Sequence, residues 1–243
     1  MNLMGWNITD SKRLEDVVLK LRAELARKIG VKQGMTVVEM GCGQGGFTVC
    51  LARIIGHQRK LLSVDISEEY LAEFMENLKK WKVQDRVKFV HAHAADLRKI
   101  ILDDFADMVV SYRFLEELKQ PDNMPKIIKE MARIAKKHGK ICIIELSTEA
   151  RNKAEENYIR LHKESGDSFF EPPKIITAMK ETGLKDVSME KFETHIWFSS
   201  DVAKQELSLA QVWFDADVKR TLGSQIERHG MKYPSFLIFS GVK

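Results

Sequence analysis

Strand-like and helix-like segments alternate along most of this chain of 243 residues. Short β-branched and apolar runs predict strands over 36–40, 61–65, 87–91, 107–112, 140–146, 187–196 and 235–242. Apolar residues at helical spacing predict helices over 12–29, 47–55, 68–81 (with Ser67 as its cap), 125–137 and 172–183. Because repeated β–α units place parallel strands side by side, the sequence predicts an α/β fold with a doubly wound, mostly parallel sheet of seven strands.

Two stretches, 147–170 and 197–232, are far longer than the usual connection of roughly two to six residues. Both have helical patterns, and both are expected to leave the carboxyl edge of the sheet, where open α/β sheets bind ligands. We therefore expect helical cap insertions over a site, within a single domain that spans 1–243. Side chains in these insertions are expected to line a pocket or, equally well, to pack the cap: Tyr158, His162, Trp197, Trp213 and Phe214.

Composition excludes several classes of protein. The 44% of hydrophobic residues is enough for a packed core, which excludes a disordered or fibrous chain. No apolar run approaches the roughly 18 residues of a membrane span, and the first residues lack the pattern of a secretory signal. Three cysteines without a CxxC pair suit a reducing compartment, so we expect a cytoplasmic protein. A formal net charge of +4 permits nucleic-acid contact without favouring it.

The helix predicted from residue 125 has a basic side. The basic residues assigned to this side are Lys126, Lys129, Arg133, Lys136, Lys137 and Lys140. No aromatic residues interleave with basic ones in the way that would strengthen a nucleic-acid footprint, so we interpret this side as a solvated surface. Nucleic acid is therefore not an expected partner.

A glycine cluster at 41–46 connects the first predicted strand to the following helix. Glycine lets the backbone turn tightly and approach a ligand without interference from a Cβ atom. Dinucleotide-binding proteins use a similar turn, but Glu39 would be unfavourable beside a pyrophosphate, which needs hydrogen-bond donors. An acidic residue here suits a ligand with a cationic amino acid portion, so a nicotinamide-dependent dehydrogenase is disfavoured.

The segment from Val37 to Phe47 resembles the S-adenosylmethionine-binding motif of class I methyltransferases, in which an acidic residue precedes GxGxG. Asp65 stands where that family has an acidic residue that holds both ribose hydroxyls. The sequence Ala95-Asp96-Leu97 resembles the pattern that contacts the adenine amino group. Segments 106–112 and 139–141 resemble the fourth motif of the family and its turn into the fifth strand.

This resemblance covers about residues 30–146 and, more loosely, 172–196 and 235–242, and it implies S-adenosyl-L-methionine as the cofactor. The positions that it assigns to the cofactor are Glu39, Gly41, Cys42, Gly43, Gly45, Asp65, Ile66, Asp96, Leu97 and Ser111. Cys42 is interpreted as a small filler of the turn and not as a nucleophile, because no activating base is nearby in sequence. The motifs specify the fold and cofactor but say little about the substrate.

Close relatives in that family often carry a histidine after the fourth strand, and this chain has carboxylates there instead. Glu116 is therefore a candidate base or substrate-orienting residue, or alternatively a solvated residue in the first turn of a helix. Tyr112 and Arg113 would lie nearest the transferable methyl group. No metal site is expected, because His91 and His93 alternate on a strand and no histidine pair has helical i, i+4 spacing.

The leading hypothesis is a methyltransferase that moves the methyl group of S-adenosylmethionine to a small organic molecule. Methyl transfer mainly requires alignment of a nucleophile behind an electrophilic methyl group, so a visible catalytic dyad is not needed. Two alternatives stay open: a methyltransferase acting on RNA or protein, and a non-catalytic S-adenosylmethionine-binding protein. The sequence does not define the substrate, the accepting atom or the oligomeric state.

Overall fold

The computed structural model describes residues 6–8, 11–57, 61–210 and 216–243. The chain divides into two compact units. We call Leu19–Glu145, Phe170–Glu190 and Ile238–Lys243 the sheet unit. We call Met1–Val18, Leu146–Phe169 and Lys191–Leu237 the insertion unit, since it contains nearly all of both predicted insertions.

The described elements follow the predicted alternation. The strands are β1 (Trp6–Ile8), β2 (Val37–Met40), β3 (Leu61–Asp65), β4 (Val87–His91), β5 (Ala106–Tyr112), β6 (Ala135–Leu146), β7 (Lys185–Phe192), β8 (Ile196–Phe198), β9 (Met231–Lys232) and β10 (Phe236–Val242). The helices are α1 (Ser11–Lys28), α2 (Gly46–Ile55), α3 (Leu71–Lys80), α4 (Met124–Ile134), α5 (Lys153–Glu164), α6 (Pro172–Glu181), α7 (Ser200–Ala210) and α8 (Ala216–His229). Single 3-10 turns cover Leu115–Glu117 and Pro121–Asn123.

Seven strands form one sheet in the order β4-β3-β2-β5-β6-β10-β7. The pairs β3–β4, β2–β3, β2–β5 and β5–β6 are parallel. Near the start of β6, His138 and Gly139 exchange backbone hydrogen bonds with Lys243, which directly follows β10, so β10 runs antiparallel to β6. The predicted doubly wound, mostly parallel sheet of seven strands is confirmed.

The order of the sheet reverses at β2, because the chain proceeds from β2 to β3 and β4 on one side and then returns to β5 on the other. Such a switch point leaves a crevice outside the carboxyl ends of the two central strands, where open α/β sheets bind ligands. All four residues of β2 are buried, as a strand with helices on both faces requires. The fold thus places the glycine cluster after β2 at the ligand-binding edge.

The insertion unit has its own small sheet, in the order β1-β8-β9. Strand β1 is parallel to β8, and β8 is antiparallel to β9. Aromatic rings of Tyr158, Phe198 and Tyr233 pack together, with the centroids of the two tyrosine rings 4.6 Å apart. A buried ion pair joins Lys232 Nζ to Glu155 Oε1 at 2.7 Å. The expectation that these insertions cap a ligand site within one domain stays a prediction.

Several predicted boundaries were wrong. The helix predicted over 125–137 ends at Ile134, because β6 begins at Ala135 and extends to Leu146. The strand predicted over 187–196 is divided into β7 and β8. Ser67 does not cap α3: its hydroxyl accepts a hydrogen bond from the Glu69 backbone N–H at 3.1 Å, and the helix begins only at Leu71.

The predicted basic side of this helix was also partly wrong. Arg133 is buried, and its guanidinium donates to both carboxylate oxygens of Glu130 and to Asp103. Lys136, Lys137 and Lys140 belong to β6. Only Lys126 and Lys129 remain as exposed basic residues of α4 itself. The six basic residues assigned to this side therefore do not form one helix face.

Candidate functional site

The chain turns sharply where β2 ends. Gly41, Gly43 and Gly45 have φ values of +72°, +44° and +79°, a region that side-chain-bearing residues rarely adopt. The backbone N–H groups of Gly41 and Cys42 donate to the Val64 carbonyl at 2.9 and 3.2 Å, so the turn is held against β3. An added Cβ atom at Gly41 would overlap the Phe114 ring. Glycine is therefore required here by both conformation and close approach.

Asp65, the last residue of β3, holds the same turn through its side chain. Its Oδ2 accepts a hydrogen bond from the Gly43 backbone N–H at 2.8 Å, and its Oδ1 accepts one from Ser67 N–H at 3.0 Å. The side chain is half-buried at the carboxyl edge. The predicted ribose-binding residue and the predicted glycine loop are thus brought into direct contact.

A cleft opens at this edge, and we call it the switch-point cleft. Its lining residues are Gly41, Val64, Asp65, Ile66, Ala92, His93, Ala94, Phe114, Leu118 and Ile127. The free volume is only about 40 Å³. Ligand sites for small molecules usually have roughly 300–1,000 Å³, so the cleft must widen to admit a molecule of cofactor size. Phe114, which packs over Gly41, is the bulkiest side chain of this wall.

The sheet unit also has a cavity of about 370 Å³ at the opposite, amino edge. Lysines line it, including Lys32, Lys136 and Lys137, and Asp107 lies among them with its carboxylate 2.6 Å from Lys136 Nζ. We take the smaller cleft as the candidate functional site, because the switch point and the glycine turn coincide there.

The structure positions Glu39 behind the glycine turn. Its carboxylate is buried, and one oxygen accepts hydrogen bonds from the hydroxyls of Thr48 at 2.6 Å and Ser63 at 2.9 Å. Burial raises the pKa of Glu39 to about 7, although these two hydrogen bonds lower it in part. These contacts link β2, α2 and β3 directly below the turn. A direct contact of Glu39 with a cofactor stays a prediction.

Cys42 is buried within the turn, and burial, with the negative charges of Glu39 and Asp65, raises the pKa of its thiol far above the ordinary range. A thiol with so little thiolate is a poor nucleophile. The structure therefore supports the interpretation of Cys42 as a small filler.

Three further cofactor candidates occupy different environments. Ile66 is 59% exposed and lines the cleft. Asp96 is exposed and lies outside the lining of the cleft, and Leu97 is fully buried with its backbone N–H bonded to Glu130 Oε2 at 3.0 Å. The cleft contains His93 instead, whose Nδ1 accepts a hydrogen bond from Ala95 N–H at 3.0 Å. Because residues 92–94 directly follow β4, the carboxyl-edge rule was the signal that could have identified them.

The end of β5 supplies two buried polar residues. Ser111 is fully buried, and no hydrogen-bond partner for its Oγ is found among the described residues. The Tyr112 ring stacks on Phe47, with centroids 4.8 Å apart, and the Arg22 guanidinium lies 5.5 Å from the centre of the Tyr112 ring. Tyr112 is therefore packed between α1 and α2, and a role in catalysis stays a prediction.

Arg113 and Glu116 form an ion pair after β5. Arg113 Nε donates to Glu116 Oε1 at 2.5 Å, and Arg113 has a left-handed backbone with φ +51°. Glu116 is only 2% exposed, which contradicts the alternative of a solvated helix turn. Its Oε2 is buried, and no partner for it is found within the described ranges. Glu145, at the end of β6, lies beneath this turn and was not predicted from the sequence.

The predicted pocket residues of the insertions also have defined contacts. His162 Nδ1 lies 2.8 Å from Asp167 Oδ2, and the Tyr158 and His162 rings are 4.7 Å apart. The Lys232 ammonium lies 5.5 Å from the centre of the Trp197 ring. Trp213 and Phe214 lie outside the described residues. In the part of the chain that the structure describes, no group of three or more His, Cys, Asp or Glu side chains is arranged to hold a metal ion.

A glycine turn at the switch point of a doubly wound sheet is typical of proteins that bind a small ligand at the carboxyl edge. A sequence profile of the methyltransferase domain family matches residues 31–207. The chain therefore belongs to this family and is a methyltransferase. It shares its fold with solved class I S-adenosylmethionine-dependent methyltransferases.

Individual relatives agree with this assignment. A demethylmenaquinone methyltransferase from Bacillus mycoides is 26% identical over 192 residues, which cover 70% of this chain and 78% of the relative. The chain spans about half the length of further relatives of that name from Bacillus cereus.

Solved structures share the fold at low sequence identity. A cyclopropane-fatty-acyl-phospholipid synthase-like protein from Lactobacillus casei has a TM-score of 0.75 and 16% identity, covering 99% of this chain and 96% of that chain. A SAM-dependent methyltransferase from Aquifex aeolicus has a TM-score of 0.60 and 17% identity, covering 96% and 93%. Among the described residues, none of the helices is both long and apolar enough to cross a membrane.

Proposed function

We propose that this chain binds S-adenosyl-L-methionine in the switch-point cleft and transfers its methyl group to a small organic molecule. The observation that carries this proposal is the contact between the glycine turn and the carboxylate of Asp65 at the carboxyl edge of the sheet. Left-handed glycines offer bare backbone to an amino acid portion, and a carboxylate with two acceptor oxygens suits a pair of ribose hydroxyls. The residues therefore fit the cofactor.

Each part of the cleft has a proposed role. Gly41, Gly43 and Gly45 would hold the amino acid portion, and Asp65 would accept hydrogen bonds from the ribose. Ile66 would contact the adenine through its exposed apolar side chain. The cofactor supplies a methyl group that the attached sulfonium makes electrophilic. The protein then mainly has to align the accepting atom and exclude water.

Glu116 is the proposed base for a substrate whose accepting atom carries a proton. One of its carboxylate oxygens is held by Arg113, which fixes the orientation of the side chain. The other oxygen is buried and is the atom that would accept the proton. A nucleophile that carries no proton would need no base, so this role applies to hydroxyl or acidic carbon acceptors.

Two observations favour a small-molecule substrate over RNA. The relative from Bacillus mycoides is named for methylation of demethylmenaquinone. Residues 197–232 carry five basic and five acidic side chains, so this insertion provides little of the counterion release that dominates nucleic-acid affinity.

The test is transfer from cofactor labelled in the methyl group to three separate acceptor fractions: a small-molecule extract, total RNA and total protein. We expect label only in the small-molecule fraction, and we expect Asp65→Ala to abolish most of it. Label confined to RNA or protein would overturn the substrate class. Tight cofactor binding without label in any fraction would instead favour a non-catalytic binding protein.

A further inference from the structure

A single buried carboxylate holds the turn that follows β5. Glu145, the penultimate residue of β6, is 6% exposed. Its Oε1 accepts hydrogen bonds from the backbone N–H groups of Phe114 at 3.3 Å and Leu115 at 3.0 Å, and its Oε2 accepts one from Glu116 at 3.4 Å. Three consecutive N–H groups thus converge on one side chain. Buried N–H groups need such partners, so Glu145 determines the conformation of this turn.

The turn is connected to the cofactor site through Phe114. The Phe114 ring packs against Gly41 so closely that a Cβ atom there would overlap it. Phe114 and Leu118 both line the switch-point cleft, together with Asp65. Glu145 lies outside the lining of this cleft, as far as the described residues show. A displacement of the turn would therefore move Phe114 and Leu118 and change the wall of the cleft, although Glu145 is not part of that wall.

The turn also fixes the Arg113–Glu116 pair. Glu145 accepts a hydrogen bond from the Glu116 backbone N–H, and Arg113 donates one to the Glu116 carboxylate. The backbone and the side chain of Glu116 are therefore both restrained. Burial, followed by the charge of Glu116, raises the pKa of Glu145 well above its ordinary value. Glu116 and Glu145 are both buried at this turn, and burial of two acidic side chains in one place is costly, which argues that the arrangement serves the site and not stability alone.

We propose that Glu145 is a positioning residue for the cofactor site: it holds the 113–118 turn so that Phe114 shapes the cleft over Gly41 and Glu116 stays beside Arg113. This inference rests on the proposed function, because it concerns the same cleft. It adds a residue that lies outside the described lining of the cleft and outside the motifs that resemble the family.

The test compares Glu145→Gln with Glu145→Ala, with S-adenosylhomocysteine as the probe. Glutamine keeps a carbonyl oxygen for Phe114 and Leu115 N–H, whereas alanine removes both acceptor oxygens and with them all three hydrogen bonds. We expect Glu145→Ala to weaken binding about tenfold or more and Glu145→Gln to stay within about threefold of the unaltered protein. Hydrogen exchange at the amides of 114–116 should accelerate in the alanine variant and stay slow in the glutamine variant.

Asp107→Asn is the matched control. Asp107 is the second residue of β5 and lies at the end of the strand opposite to the turn. Its carboxylate accepts a hydrogen bond from the Thr36 backbone N–H at 2.7 Å and pairs with Lys136 Nζ at 2.6 Å. This variant should lose stability without loss of affinity. If Glu145→Ala does not fold, Glu145→Asp replaces it. The aspartate side chain is one methylene shorter, so its carboxylate reaches the three N–H groups less well, and this variant should show the weakened binding of S-adenosylhomocysteine.

The outcomes separate this inference from the function on which it rests. Equal affinity of the unaltered protein and Glu145→Ala, with faster exchange at 114–116, would overturn the positioning role alone. Equal losses of affinity in Glu145→Ala and Asp107→Asn would also overturn it, because general destabilisation would then explain both. No binding by the unaltered protein would overturn the proposed function together with this inference.

Discussion

The Asp65 carboxylate accepts a hydrogen bond from the Gly43 backbone N–H at 2.8 Å. The end of β3 thereby holds the loop that follows its neighbour β2. A carboxylate that bonds to a backbone N–H through one oxygen still has lone pairs for a ligand. Asp65 can therefore stabilise the glycine turn and offer acceptors to a ribose at the same time.

Gly41→Ala tests the close approach of Phe114. An alanine in the left-handed region costs about 1–2 kcal/mol by itself, and at this position it also overlaps the Phe114 ring. Gly34→Ala is the control, because Gly34 has φ +83° but no atom within 4 Å of an added Cβ. We expect Gly41→Ala to lower the free energy of unfolding by about 1–3 kcal/mol more than the control. Equal losses in denaturant unfolding would show that the ring does not restrict this position.

Glu39→Gln tests the buried carboxyl group. Its pKa is raised from an ordinary 4.5 to about 7 in the folded protein. Between these values the folded state keeps a proton that the unfolded state has lost, so the contribution of Glu39 to stability falls as pH rises from 4.5 to 7. Over this interval the unaltered protein should lose about 3 kcal/mol relative to the glutamine variant. Unfolding curves measured at pH 5 and 8 check this. Equal changes in the free energy of unfolding of the two proteins between these pH values would contradict it.

Lys232→Met tests the ion pair in the insertion unit. Lys232 and Glu155 are both buried; desolvation raises the pKa of Glu155, but hydrogen bonds from Arg151 and Lys232 outweigh it and lower that pKa to about 2. Removal of one partner from a buried pair costs about 3–5 kcal/mol when the other is left unpaired. Because Arg151 still bonds to Glu155, we expect Lys232→Met to cost about 3 kcal/mol, at the low end of this range.

The control for this variant is Lys204→Met, since Lys204 pairs with Glu227 at 3.2 Å in an exposed position. We expect it to cost less than about 1 kcal/mol. Similar free energies of unfolding for the two variants would mean that the Lys232–Glu155 pair is not buried in solution.

Much of the sheet could be predicted because its signals are local. Strands β3 and β4 have the predicted bounds of 61–65 and 87–91, since each is a short run bounded by clear breaks. The glycine turn and Asp65 could be placed at one edge because parallel strands end on the same side. By contrast, β1, β8 and β9 have only two or three residues each, too few for a periodic pattern.

The role of Glu145 could not be predicted, because its partners are 29–31 residues away in sequence. In the sequence it is one acidic residue near the end of an apolar strand. Only the pairing of β5 with β6 brings it beneath the 113–118 turn. The end of α4 was misplaced for a related reason: the apolar pattern continues through Ala135, and its pairing with Ala106 converts it to a strand.

The most direct test of this account is calorimetric titration of S-adenosylhomocysteine into the unaltered protein, Asp65→Ala and Asp85→Ala. Asp85 precedes β4 at the amino edge and is largely exposed, so it controls for the loss of a carboxylate. We predict binding by the unaltered protein, a loss of about tenfold or more in Asp65→Ala, and no change in Asp85→Ala. Unchanged affinity in Asp65→Ala would contradict the assignment of the cofactor to the switch-point cleft.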